Sequence, residues 1–372
     1  MTSVAMHVDQ LFYQAPGGIG TYIRELVPAM AEADPSLSVT LFHADFPGAP
    51  PEPWMDRFHT VTLPGSIRRL YPFWDLTGRP PLPETLSGVE ILHAPSPATI
   101  PPPGRGQRLV VTVHDVAFRV YPSLFPTPWR LLFRAGTRRA VKSADAVITV
   151  SEHTAGDLVR FYGADPAKLH VVPLAASLPT TAEDPAPVLE RLNVRPPYLL
   201  FVGTLEPRKN LIRLVRAYRR AVAAQDLPHR LVLAGPLGWH HHRLLAEVRA
   251  GGPGEVILTG RTAPADLDAL YRAADAFCYP SLYEGFGLPV LEAMARGTPV
   301  VCSNASSVPE VAGDAAVMVD PRSVAGLTAA LGRVLGDPAE RTRLSEAGRE
   351  RAGRFSWEQT SRDTLKVYDA LG

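Results

Sequence analysis

Short apolar runs, each followed by a stretch of helical period, recur along the whole of this chain. VAMHV leads into GGIGTYIRELVPAMAEA, and SVTLFHA, VEILHA, RLVVTVHD and DAVITVS follow before residue 152. Runs this short and this rich in β-branched residues read as strands buried on both faces. A strand, a helix and another strand running the same way make the unit of a parallel sheet covered on both sides. SEHTAGDLVRFYG reads as one covering helix, with Ser151 as its N-cap and Gly163 as its stop.

The alternation pauses at LAASLPTTAEDPAPVLERLNVRPP, rich in Pro and Ala, and restarts at YLLFVG. NLIRLVRAYRRAVAA then reads as an amphipathic helix, and HRLVLAG, EVILTG, DAFCYPS, TPVVCS and AAVMVD as further strands. A chain of 372 residues exceeds the ~250–300 at which one core stops growing. Two tandem doubly wound α/β domains are therefore expected, residues 1–175 and 198–355, with 176–197 as linker. FSWEQTSRDTLKVYDALG closes the chain as a helix over 356–372, opened by a capping box from Ser356 to Gln359. Trp357, Leu365, Tyr368 and Leu371 form its expected apolar face. In doubly wound folds ligands bind outside the carboxyl ends of the strands, and two such domains facing each other leave a cleft between them.

Charge and cysteine content exclude several function classes. A net charge of +1 gives no field to attract nucleic acid. Two cysteines, Cys278 and Cys302, form neither a disulfide framework nor a zinc site, which fits a reducing compartment. The start MTSVAMHVDQLF lacks the charged and apolar regions of a signal peptide. No apolar run approaches the ~20 residues of a membrane span. A cytoplasmic protein is expected, with peripheral contact at a membrane face left open.

Four segments carry candidate chemistry. In SLYEGFGLPVLEAMARG, residues 281–297, Gly285 and Gly287 let the backbone approach a ligand, Pro289 suits a first helical turn, and Gly297 stops the helix. A glycine loop that opens a helix presents free N–H groups and a positive dipole end, a phosphate-type site. Glu284 and Glu292 flank that loop; the alternative for Glu292 is a surface pair with Arg296 at i,i+4. In FVGTLEPRKN a buried strand ends at Gly203 and delivers Arg208 and Lys209, an anion-binding fork and a point charge, or else a solvated pair ahead of a helix. PGGIGTY, with Gly17 and Gly18, follows the first strand and is weak as a nucleotide motif by itself, since a tight turn explains it equally. TVHDVAF places His114 and Asp115 at the end of a buried strand, as site residues or as a satisfied His beside a capping Asp.

Two further patterns are suggestive. WHHH at 239–242 looks metallic, but consecutive side chains do not converge easily on one ion, and no metal is expected. Arg130, Arg134, Arg138 and Lys142 recur every four residues, joined by Arg139 and preceded by Trp129. Such a stripe suits an anionic lipid surface, or is simply a solvated helix face.

Taken together, GGIGTY, TVHD, VSEHT, VVPLA, FVGTLEPRKN, LAGPLGW, YRAADAFCYPSLYEGFGLPVLEAMARGTPVV and SSVPEVAGDAA resemble glycosyltransferase family 4 in order and over nearly the whole chain. These are retaining enzymes of the GT-B fold that use nucleotide-sugar donors. The resemblance implies that Glu284 binds donor sugar hydroxyls and that Glu292 holds the ribose. The backbone of Gly285, Phe286, Gly287 and Leu288 would meet the sugar and diphosphate, beside Gly203. It further implies that Arg208 and Lys209 neutralise the diphosphate, that Gly17 and Gly18 lie over phosphates and acceptor, that His114 stands near the donor sugar, and that helix 356–372 braces the first domain. The family's usual lysine after AG is absent from AGPLGW. The subgroup resembled is that of mannosyltransferases using GDP-mannose in polysaccharide or glycolipid assembly, with a UDP-sugar-dependent glucosyl, galactosyl or rhamnosyl transferase, or a soluble-acceptor synthase of the same fold, as the alternative. No cofactor beyond the nucleotide sugar is implied, and the basic stripe suggests a lipid-linked acceptor.

Overall fold

The computed structural model describes residues 2–13, 16–48, 51–67, 70–71, 73–74, 78–177 and 183–372. The chain divides into two units, Met1–Leu174 with Ser356–Gly372, and Ala175–Phe355. The first unit holds strands β1 (Ser3–His7), β2 (Ser38–His43), β3 (His59–Thr62), β4 (Ile91–Ala94), β5 (Arg108–Val113), β6 (Ala146–Thr149) and β7 (Leu169–Val171). They form one parallel sheet in the order β3-β2-β1-β4-β5-β6-β7. The second holds β8 (Tyr198–Val202), β9 (Arg230–Ala234), β10 (Val256–Gly260), β11 (Ala276–Tyr279), β12 (Val300–Ser303) and β13 (Val317–Val319), parallel in the order β10-β9-β8-β11-β12-β13. Each sheet starts in its middle, grows to one edge, then returns to the other side of its first strand. The switch points lie between β1 and β4 and between β8 and β11, where such folds open a crevice at the carboxyl ends.

The central strands are apolar on both faces because helices cover both. Val4, Ala5 and Met6 of β1 and Tyr198 to Phe201 of β8 are fully buried. The edge strands β3, HTVT, and β7, LHV, are only half-covered. β3 is mostly polar and β7 is three residues long with a histidine in its middle, so neither stands out as an apolar run.

The helix Glu152–Tyr162 is bounded as its ends suggest. Ser151 Oγ accepts from Thr154 N at 3.1 Å, and Gly163 takes the left-handed conformation at φ +64°. Within 176–197, residues 178–182 lie outside the described residues. The rest of that stretch includes the helix Ala186–Arg191, which packs on the helix Pro264–Ala273 and is tied there by Arg191–Asp266 at 2.7 Å.

The terminal helix Trp357–Asp369 packs along the helix Gly17–Ala33 of the first unit. Its buried face differs from the apolar one expected: Thr360, Ser361, Thr364, Val367 and Tyr368 are buried, whereas Trp357, Leu365 and Leu371 are half-covered. Hydroxyls can line this seam because each finds a carbonyl: Thr360 donates to Pro173 O, Ser361 to Glu358 O and Thr364 to Thr360 O. The capping box is half formed. Ser356 Oγ accepts from Gln359 N at 3.1 Å, while the Gln359 side chain bonds Asp363 and Arg362. Among the described residues no helix is long and apolar enough to cross a membrane.

Candidate active site

At the switch point of the second sheet, β8 and β11 bring two segments together that are far apart in sequence. β8 is followed by Gly203, whose φ of +143° an L side chain rarely adopts. The neighbouring strand's Gly235 comes so close that a Cβ there would lie 2.1 Å from Gly203 O. The chain then makes one 3₁₀ turn, Pro207–Lys209, and enters the helix Leu211–Gln225 through Asn210 at φ +62°. Asn210 Nδ2 donates to Pro280 O at 3.0 Å and Pro321 O at 2.6 Å, which pins this turn to the loop after β11 and to the turn after β13.

That loop carries Glu284 into the turn. Arg208 Nη1 lies 2.8 Å from Glu284 Oε2, and Lys209 Nζ lies 2.7 Å from Oε1. Arg208 also donates to Tyr283 O at 2.8 Å and pairs with Glu206 at 2.7 Å. Lys209 donates to Tyr279 Oη at 2.6 Å and sits 4.9 Å from the centre of that ring. Glu206, Lys209 and Glu284 are all buried. Burial alone would raise the Glu284 carboxyl; the Arg208 and Lys209 charges overcome it and hold it at about 2. Burial, with Arg208's charge beside it, lowers the Lys209 ammonium, and burial raises the Glu206 carboxyl. Two cations and two carboxylates thus stand packed together, with Arg208, Lys209 and Glu284 each held by more than one partner and Glu206 by Arg208.

The glycine loop is set by a second neighbour, the turn after β12. Ser306 Oγ accepts from Glu284 N at 2.8 Å, and Ser307 Oγ lies 2.9 Å from both Glu284 O and Phe286 O as donor. Phe286 meets Phe355 edge to face at 5.9 Å. Gly287, at φ +119°, caps the helix Leu288–Ala295, with Pro289 in its first turn. Gly285 and Gly287 are buried in the loop, and Leu288 begins the helix.

Glu292 is 8% exposed, so a wet surface pair with Arg296 is not what forms. Arg296 Nε instead lies 3.0 Å from buried Asp268, and its Nη1 reaches the Glu292 backbone carbonyl at 3.5 Å. Tyr271 donates to Glu292 Oε2 at 3.0 Å. Oε1 receives no hydrogen bond from the described residues. Burial raises the Glu292 carboxyl, against the lowering effects of Tyr271 and Arg296.

Gly17, Gly18 and His114 belong to the first unit. Gly17 and Gly18 are exposed at the start of the helix Gly17–Ala33, Gly17 at φ +61°, and Gln10 fastens that start through Pro16 O at 2.8 Å. His114 follows β5. Its Nε2 donates to Pro95 O at 3.0 Å, its ring stands edge-on to Tyr22 at 5.0 Å, and burial lowers its pKa to about 4. A neutral imidazole with one nitrogen so committed keeps Nδ1 as an acceptor. Asp115 accepts from Ala117 N at 2.9 Å and caps the turn that follows. In WHHH, His241 bonds Gly238 O, and the neighbouring rings stand 6.3 and 6.4 Å from His242.

Sequence reasoning did not single out Glu206, Tyr279, Ser306 or Ser307. Glu206 and Tyr279 sit in strand-end motifs already under suspicion. Ser306 and Ser307 open the family-like segment SSVPEVAGDAA, but no role is readable for them there, since only the fold sets the turn after β12 beside the glycine loop.

Two tandem, doubly wound parallel units, the second with paired cations at its switch point, have the architecture of a GT-B protein. Residues 16–178 match the family described as Glycosyltransferase Family 4, and residues 188–351 match Glycosyl transferases group 1. The chain belongs to glycosyltransferase family 4 and is a glycosyltransferase. It is 35% identical over 274 residues to O-antigen chain mannosyltransferase B of Escherichia coli, covering 72% of each chain. It is 34% identical over 237 residues to the MMP alpha-(1->4)-mannosyltransferase of Mycolicibacterium hassiacum, across 62% of this chain and 56% of that one. Its fold matches sucrose-phosphate synthase from Thermosynechococcus elongatus with TM-score 0.76 at 23% identity, over 100% and 99% of the two chains.

Proposed function

We propose that this glycosyltransferase moves mannose from GDP-mannose to a saccharide or lipid-linked acceptor, with retention at the anomeric carbon. The observation that carries the reading is the grip of Arg208 and Lys209 on Glu284 at the second switch point; the names of the two mannosyltransferase relatives support the sugar. The diphosphate draws on Arg208 and Lys209 and on the N–H groups at Phe286, Gly287 and Leu288, where the helix dipole favours negative charge. Glu284, ionised throughout the physiological range, accepts from sugar hydroxyls. Glu292 offers Oε1 to the ribose diol. His114, neutral, accepts a hydrogen bond near the donor sugar, and the exposed Gly17–Gly18 backbone lies over phosphate and acceptor.

In the reaction, the bond between the anomeric carbon and the diphosphate oxygen breaks. The acceptor oxygen bonds that carbon from the same face, and its proton passes to the departing diphosphate. Charge grows on the diphosphate as it leaves, and prepositioned cations stabilise it without reorganising. The two side-chain cations supply the positive charge this step requires.

A thermal-shift series with GDP, GDP-mannose, UDP, UDP-glucose, ADP and CDP tests the donor. A ligand that binds only the folded state raises stability with the logarithm of its concentration above Kd. GDP and GDP-mannose are expected to raise the melting temperature and UDP to leave it unchanged. A shift with UDP-glucose alone overturns the guanosine assignment, and no shift with any nucleotide overturns the donor reading.

The helix Thr127–Ser143 supports peripheral contact with an anionic bilayer. Arg134, Arg138 and Lys142 are exposed along one face, and Leu131 joins them at 58% exposure. Arg130 and Arg139 are half-buried and bond Pro122 O and Trp74 O. Replacing Arg134, Arg138 and Lys142 by Glu is expected to abolish cosedimentation with phosphatidylglycerol vesicles. Undiminished binding by this variant refutes the contact.

A further inference from the structure

The helix Pro264–Ala273 sets one side chain against the carboxylate of Glu292 from the interior. Tyr271 is fully buried, and its hydroxyl donates to Glu292 Oε2 at 3.0 Å. Oε1 of the same carboxylate receives no hydrogen bond from the described residues. One oxygen is thus fastened inside the unit and the other is left for a ligand.

The place of that hydroxyl is set by the helix that carries it. Tyr198 Oη donates to Leu270 O at 2.6 Å, and Thr298 Oγ1 donates to Tyr271 O at 2.7 Å. Asp268, three residues before Tyr271, lies 3.0 Å from Arg296 Nε. The Tyr271 ring leans on Phe277 of β11 at 5.4 Å. These anchors reach β8, β11, the end of the helix Leu288–Ala295 and the segment after it. They hold Tyr271 in position independently of Glu292.

A phenylalanine would fill the same space with no oxygen to satisfy, so packing alone does not account for the hydroxyl. The last torsion of a glutamate is broad and roughly two-fold, and a carboxylate without a fixed donor turns freely. Burial and the Glu292 charge raise the Tyr271 hydroxyl well above its ordinary range, so it keeps its proton and stays a donor. Burial also raises the Glu292 carboxyl, and the Tyr271 hydrogen bond and the Arg296 charge oppose that rise. Without the hydroxyl, Glu292 loses both its orientation and part of what keeps it ionised.

We propose that Tyr271 is a positioning residue for the donor: its hydroxyl, enclosed and out of reach of any ligand, fixes Glu292 so that Oε1 meets the ribose 2′,3′-diol. The proposal rests on the ribose role of Glu292 and adds the residue through which that role is set.

The test compares binding of GDP and 2′,3′-dideoxy-GDP, by calorimetry, to the parent, Tyr271→Phe, Glu292→Gln and the double variant, between about pH 5.5 and 8. Titration of the phosphates is common to both ligands and drops out of the ratio of their affinities. The parent is expected to bind GDP at least about tenfold tighter than the dideoxy analogue, since the diol donates to a charged group. In Tyr271→Phe that ratio is expected to shrink to about threefold, while affinity for the dideoxy analogue stays at the parent's value and verifies folding. The charged and titratable groups that face Glu292 are Tyr271, from the helix Pro264–Ala273, and Arg296, from the end of its own helix. Removing the Tyr271 hydroxyl leaves only the Arg296 charge against burial, so on acidification the ratio should begin to fall at a higher pH than in the parent. Tyr271→Met removes the hydroxyl through a side chain of another shape and is expected to give the same ratio, so the result does not hang on the folding of one variant.

In the Glu292→Gln background, Tyr271→Phe is expected to change nothing further, because the two act as one unit. A parent-like ratio in both Tyr271 variants overturns the proposal, as does a further loss in the double variant. Glu292→Gln with the parent's ratio overturns the ribose role and the proposal with it. Loss in Glu292→Gln but in neither Tyr271 variant leaves the ribose role standing and removes Tyr271. Where UDP is the nucleotide that binds, UDP and 2′,3′-dideoxy-UDP carry the same comparison, and no binding by either nucleotide overturns both.

Discussion

Glu284 and Glu292 are the same residue type, eight positions apart, and the fold drives their carboxyls in opposite directions. Both are buried, which by itself raises a carboxyl. Glu284 has two cations within 2.8 Å and falls to about 2. Glu292 has a tyrosine hydroxyl and a more remote arginine, and stays raised. Their effects on stability follow. Glu284 stabilises the folded state above the ordinary glutamate range and loses that contribution as pH falls toward 2. Glu292 keeps its proton to higher pH in the folded chain than in the unfolded one, so its ionised form costs stability at neutral pH. Glu292→Gln removes that cost and keeps a carbonyl oxygen for Tyr271. The variant is expected to melt up to about 2–4 °C higher, with a smaller thermal shift from GDP if the carboxylate holds the ribose diol as proposed. A lower melting temperature with an undiminished GDP shift would falsify the role assigned to Glu292.

At the scale of the element, the terminal helix Trp357–Asp369 shows how a polar seam is specified. His93 Nδ1 lies 2.6 Å from Tyr368 Oη, its Nε2 lies 2.8 Å from Thr112 Oγ1, and Thr112 is 3.0 Å from Tyr22 Oη. The four buried groups join β4, β5, the helix Gly17–Ala33 and the terminal helix. Burial lowers His93 to about 3, and His114 nearby to about 4. Neutral histidines in the folded chain mean that the unfolded chain binds more protons below about pH 6.5. Stability is therefore full above that pH and falls on acidification, by up to about 1.4 kcal/mol per pH unit for each histidine. Tyr368→Phe leaves one His93 nitrogen buried without its partner, at a cost of about 1–3 kcal/mol. Urea unfolding at pH 7 should register this loss, and a midpoint equal to the parent's would show that the hydroxyl does not hold the helix. The basic helix Thr127–Ser143 divides its labour in the same way: Arg139 donates to Trp74 O, whereas Arg134 and Arg138 are exposed.

At the scale of the molecule, the apolar runs of the sequence determined most of the architecture. Buried parallel strands have no wet face, so they stand out as runs, and eleven of the thirteen described here coincide with runs read from sequence. β3 and β7 did not, because β3 is mostly polar and β7 is three residues around a histidine. The residues of the candidate site were legible where backbone chemistry leaves a mark: glycines at positive φ, a proline in a first turn, cations after a strand. Sequence spacing also determined that Glu284 and Glu292 flank the glycine loop. Only the tertiary structure decided what surrounds them. Glu206 and Tyr279 fix the cations, Ser306 and Ser307 hold the loop, and Thr, Ser and Tyr rather than Leu and Trp form the seam of the last helix. The physical reason is range. Strand and turn propensities act between neighbours in the chain, whereas the charge state of a carboxylate and the use of a hydroxyl depend on groups 20 to 275 positions away, which only the packed chain brings within 3 Å.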